Sequence, residues 1–159
     1  MTAIILAATV VVSLIAFVVP PVYSSLGYYA AASYAHPWRW VSVALVHGGL
    51  IHLGLNMLAL WMVGPTVERV FGKWRFLALY LFATIGGSLG VFISAVTGVM
   101  SGFVYTVGAS GGIFGLFAAI YVIQRRFGID TRAITVLLVV NLAYGFMSPA
   151  CPGRHTSAG

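Results

Sequence analysis

Apolar residues dominate the chain in long runs, broken by short polar stretches, with no alternation of the kind a half-buried strand shows. A helix needs about 20 mostly apolar residues to cross a bilayer core. Five segments meet or approach that length: about Ile4 to Val19, closed by Pro20-Pro21, then Val41 to Val63, Trp74 to Val96, Tyr105 to Ile123 and Ala133 to Met147. The first resembles a leader peptide in length. It has no basic residue before it and no small-x-small site after it, so it reads as a span that is kept.

Composition turns this pattern into a class. The 159 residues are 61% hydrophobic and 6% charged, against about 25% charged in soluble domains, whose surfaces must be wetted. The chain reads as an all-α polytopic membrane protein embedded in the lipid bilayer. Its formal net charge of +6 does not mark a nucleic-acid binder, because the basic residues form no face. They mark topology instead. Arg69, Lys73 and Arg75 lie between spans two and three, and Arg125, Arg126 and Arg132 between four and five. Arg39 and Arg154 fall in the alternate positions. This bias predicts a cytoplasmic N-terminus. A single cysteine, Cys151, excludes an internal disulfide and a cysteine-based metal site.

With that orientation spans two and four run the same way, and their first halves share the outer leaflet. Polar residues gather there: His47, His52 and Asn56 in VHGGLIHLGLN (46–56), and Ser110 in VGASGGIFG (107–115). On a helix His52 and Asn56 lie one turn apart on one face, while His47 falls about 140° from His52. Such groups can simply join helices, at about 0.6 to 2 kcal/mol each. Three within one span also fit a functional pocket opening to the outer side. Gly108, Gly111, Gly112 and Gly115 would fall within about 100° on a regular helix, a seam that another helix can approach closely. Ser110 lies outside that arc.

A serine hydroxyl attacks only when a base takes its proton, and the developing oxyanion needs preorganised donors. The imidazole N–H of His52, the amide of Asn56 and a backbone N–H freed by neighbouring glycines supply donors of the right kind. The base is the missing part.

These motifs resemble the rhomboid intramembrane serine proteases. GASGGIFG (Gly108 to Gly115) matches that family's GxSGxxxG at every fixed position, and His47, His52 and Asn56 match its histidine, four residues, histidine, three residues, asparagine pattern. Trp38-Arg39 before the second span and Glu68-Arg69 after it also stand in place, so the resemblance covers roughly residues 36 to 150. It implies a rhomboid-like helical bundle (1–150) with five of six core transmembrane helices. Ser110 would be the nucleophile, and His52 and Asn56 would form the oxyanion hole with the Ser110 N–H. His47, Gly108 and Gly111 would be supporting residues. Transmembrane protein substrates and no cofactor or metal are implied. Trp38 and Arg39 would sit in an outer loop partly in the membrane, and Glu68 and Arg69 at a structural end of span two.

The family's dyad histidine lies on a sixth span, in a motif like AHxxGxxxG. Here the sequence after Pro149 reads ACPGRHTSAG, a polar tail. Suitable codons for Cys151 to Gly159, shifted by two bases, encode Ser-Trp-Gln-Ala-His-Ile-Gly-Gly, which suits entry into that span. The expectation is therefore a frameshifted or truncated member, impaired in catalysis, with the glycine seam facing lipid. His155 reads as a free tail histidine, and His36 as an interfacial residue beside Trp38 and Trp40. Besides a protease by descent, two readings stay open: an inactive rhomboid-like protein that binds membrane clients, and a small channel or transporter. The last has no charged residue at a span centre and no inverted repeat to support it.

Overall fold

The computed structural model describes residues 1–136, 139 and 140. The expected fifth span beyond residue 140 lies outside them, as does the tail with Cys151, Arg154 and His155. Among the described residues the fold is a helical bundle. α1 (Thr2–Val18) is followed by short α2 (Pro20–Leu26) and α3 (Arg39–Ser42), then by α4 (Leu50–Phe71), α5 (Lys73–Val96) and α6 (Ser110–Arg126). Residues 132–136 are again helical.

At about 1.5 Å per residue α4 and α5 exceed the roughly 30 Å of a bilayer core. Their 22 and 24 residues are long and apolar enough to cross it. α1 and α6, each of 17 residues, stand at the short end of the range. Large apolar side chains point outward, among them Trp61 at 65% exposure and Phe82 at 73%. An exposed apolar face of this kind belongs in lipid.

α1 ends where Pro20 opens α2, since proline lacks the N–H a continuing helix needs. α4 and α5 are joined by one residue, Gly72, at φ 79°. Its N–H closes the last turn of α4 on the Glu68 carbonyl at 2.8 Å. A side chain there would be strained, so glycine is what permits so sharp a reversal. Leu60, Val63, Val67, Phe76, Ile113, Leu116 and Phe117 are buried between α4, α5 and α6.

α1 packs on α4 through a polar stripe, with Thr2, Thr9, Ser13 and Ala16 buried. At one end the Glu68 carboxylate accepts from the Thr2 N–H and hydroxyl, both at 2.8 Å, and from the amino-terminal nitrogen. Glu68 thus caps α1, filling the structural place expected of it. At the other end Arg39 is buried. Its guanidinium donates to the Ser24 carbonyl at 2.8 Å and to that of Gly27, and lies 5.2 Å from the centre of the Tyr29 ring. Trp38 donates to the Ser25 carbonyl at 3.1 Å. The loop after α5 is tied to this region by paired bonds between Tyr28 and Thr106 (2.9 and 2.7 Å).

Candidate functional site

Two helix starts differ from expectation, and both shape the site. The apolar run from Val41 is not continuous helix. α3 gives way to a 3-10 turn at Val43–Leu45, Val46 is extended, and α4 begins only at Leu50. His47 therefore lies in the connection, off the helix that carries His52, and its wheel angle has no meaning there. Likewise α6 begins at Ser110, not near Tyr105. Gly108 sits outside that helix at φ 123°, in a region that favours glycine.

His47 is fully buried and held at both ring nitrogens. Ser13 Oγ lies 3.0 Å from Nδ1 and itself donates to the Leu45 carbonyl at 2.9 Å. The serine proton is therefore engaged, and His47 Nδ1 carries the hydrogen in that pair. Nε2 is left to accept the Ala109 N–H at 3.3 Å. α1 is thus linked through one imidazole to the residue before Ser110. The Gly108 N–H donates to the Val43 carbonyl at 3.1 Å, fixing the same approach.

His52 occupies the first turn of α4, and its ring centre is 5.1 Å from that of His47. It lies over the backbone of Gly108: a Cβ built there would be 2.7 Å from His52 Cε1 and 2.9 Å from Nε2. Any side chain at 108 would displace the imidazole. Asn56, one turn further along α4, is buried. Its Nδ2 donates to the His52 carbonyl at 2.9 Å, leaving one of the two amide hydrogens for another acceptor.

Ser110 is half-buried at the first position of α6, and no side chain caps that helix. Ile113 makes the bond back to Ala109, so the N–H groups of Ser110, Gly111 and Gly112 stand ahead of the helical ladder. The helix dipole adds positive potential at the same place. Oxygen bearing negative charge would be stabilised here.

The glycine seam corrects an expectation. Gly111, Gly112 and Gly115 do not face lipid; they pack on α5. A Cβ at Gly111 would lie 3.3 Å from the Gly87 Cα, one at Gly112 would be 2.6 Å from the Tyr80 ring, and one at Gly115 would be 2.2 Å from the Ala83 Cβ. Tyr80, Ala83, Thr84 and Gly87 follow helical spacing, so α5 presents a matching ridge. Sequence reasoning missed Ser13 and this α5 ridge. The small and polar positions Thr2, Thr9, Ser13 and Ala16, recurring on one face of an apolar helix, were the available signal for the first.

Two imidazoles held against Gly108 and Ala109, inside a bundle of helices with apolar outward faces, define a membrane protein with a buried polar centre beside Ser110. The rhomboid domain model matches residues 34–157, and the chain belongs to the rhomboid family. It is 40% identical over 114 residues to rhomboid protease GluP of Bacillus subtilis, covering 69% of this chain and 21% of that one. With RHOMBOID-like protein 5 of Arabidopsis thaliana it shares 35% over 125 residues, 74% of this chain and 39% of the other. With rhomboid protease AarA of Providencia stuartii it shares 34% over 142 residues, 74% and 50% respectively. The chain spans about a fifth to a half of the length of these relatives.

Proposed function

We propose that this chain is an intramembrane serine endopeptidase that cuts transmembrane segments of other membrane proteins. The observation that carries the reading is the packing of the His52 ring over Gly108, at the open start of α6 where Ser110 stands first, with Asn56 one turn beyond His52 on α4. Ser110 Oγ is the nucleophile. His52, the second amide hydrogen of Asn56 and the Ser110 N–H donate to the oxyanion as the carbonyl carbon becomes tetrahedral. His47, with both nitrogens engaged, is a positioning residue that holds Ala109 and hence the helix start. Gly108 admits the His52 ring, and Gly111 admits α5.

The basic residues support an orientation. Arg69, Lys73 and Arg75 share one end of the bundle with Arg125 and Arg126, because α6 runs beside α4 with its first residues near His52. That end faces the cytoplasm, with the N-terminus, and the site opens to the outer side.

The proton acceptor is not assigned to a described residue. The resemblance implies a histidine on a sixth span, and the sequence after Pro149, ACPGRHTSAG, does not carry that motif. Where such a base is held against Ser110, the chain cleaves. Where none is held, turnover falls by roughly 10⁴- to 10⁶-fold, and the chain binds membrane clients without cutting them.

The test is cleavage in liposomes of a reporter bearing one transmembrane helix, compared with Ser110→Ala. Cleavage by the unaltered chain alone supports the protease. Retention of uncut reporter by both proteins supports the client-binding alternative.

A further inference from the structure

At the end of the bundle away from Ser110, positive charge has little protein counter-charge. The sequence holds two acidic residues against eight Lys and Arg. Glu68 is engaged by Thr2 and the amino-terminal nitrogen. Asp130 accepts from the Arg132 N–H at 2.9 Å and lies 3.9 Å from its side chain. Among the described residues no ion pair is left for Arg69, Lys73, Arg75, Arg125 or Arg126, which leaves them open to anions from outside the chain.

Two of these cations differ from the rest by their surroundings. A groove of about 330 Å³ runs along α4, lined by Trp61, Met62, Pro65, Thr66 and Arg69. A second, of about 440 Å³, is lined by Pro65, Glu68, Arg69, Gly72 and Lys73. They share Pro65 and Arg69, so they join into one trough on the outward face of the helix. Its first half carries two large apolar side chains open to lipid, Trp61 at 65% and Met62 at 48% exposure. Its second half ends on Arg69 and Lys73. Pro65 adds a polar feature: it has no N–H to give the Trp61 carbonyl, so that acceptor lacks its usual partner along the helix.

A shallow groove that offers Trp61 and Met62 at one end and a pair of cations at the other has the layout of an amphiphile with an anionic head. We propose that this trough is a binding site for one anionic phospholipid, its acyl chain along Trp61 and Met62 and its phosphate between Arg69 and Lys73. Basic side chains at helix ends meet headgroups of any kind; Arg125 and Arg126, at the same end, do not line this groove and serve as the internal control.

The experiment is native mass spectrometry of the full chain released from detergent, with dioleoyl phosphatidylglycerol and phosphatidylcholine offered at equal concentration. Phosphatidylglycerol is retained over phosphatidylcholine. Arg69→Gln with Lys73→Gln removes that preference, by about fivefold per side chain, whereas Arg125→Gln with Arg126→Gln changes it by less than about twofold. Trp61→Ala, which leaves every charge in place, lowers retention of both lipids and keeps the test decisive should the double Gln variant not fold. Equal retention of the two lipids by the unaltered chain would overturn the proposal. So would an equal loss in the two double variants, displacement by glycerol phosphate at the lipid's own concentration, or no effect of Trp61→Ala.

Discussion

Two interfaces meet at the start of α6, and they are built on opposite principles. On one side α5 and α6 approach through missing side chains: Gly87 against Gly111, Tyr80 against Gly112, Ala83 against Gly115. On the other side α1 and the segment before α4 reach α6 through hydrogen bonds, from His47 Nδ1 to Ser13 and from the Ala109 N–H to His47 Nε2. Lipid tails are as apolar as leucine, so neither contact can rest on the hydrophobic effect. The first rests on close van der Waals fit, which fixes where the helix lies. The second rests on directed donors and acceptors, which fix where its first residues point. The proposed role of Ser110 as a nucleophile needs both.

The comparison can be broken from either side. The largest effect is expected for His52→Ala, which leaves both interfaces intact and removes a donor. Labelling of Ser110 by a fluorophosphonate should fall by roughly 10²- to 10³-fold with little change in thermal stability. Loss of stability in step with labelling would mean that His52 is structural. Gly108→Ala comes next. Its Cβ would take the place of the His52 ring at a φ that L-residues avoid, a strain of about 1 to 3 kcal/mol. Labelling should drop about 10- to 100-fold.

Gly115→Ala tests the steric side. Overlap with the Ala83 Cβ should destabilise the bundle by about 1 to 3 kcal/mol in detergent unfolding. Adding Ala83→Gly should restore most of it, because the next Ala83 atom is 3.7 Å away. Failure of that rescue would mean the clash is not the cause. The smallest effect is expected for Ser13→Ala, about 1 kcal/mol of stability from one lost hydrogen bond. Its signature is a fall in labelling larger than the stability loss explains, since His47 loses the partner that sets its tautomer.

Much of this was legible in the sequence. The spans near Ile4–Val19 and Trp74–Val96 lie within two residues of α1 and α5, because Pro20, Gly72 and the charged Lys73–Arg75 stretch end the apolar runs sharply. The polar residues of the site were legible by their rarity in such surroundings. The starts of α4 and α6 were not. Val41 to Val46 and Tyr105 to Val107 are as apolar as the helices that follow, so hydropathy cannot see the chain turn extended at Val46 or bend at Gly108. The partner of the glycine seam was also hidden. A helical wheel shows which residues share a face, and it cannot say which helix fills it. Here α5 does, through small residues whose spacing has meaning only beside α6.

The most direct test of the central claim is to treat the purified chain with a fluorophosphonate and locate the adduct by peptide mass spectrometry, with Ser110→Ala alongside. The account predicts one adduct, on Ser110, absent from the variant. Equal labelling of both proteins, or an adduct on another serine, would contradict it.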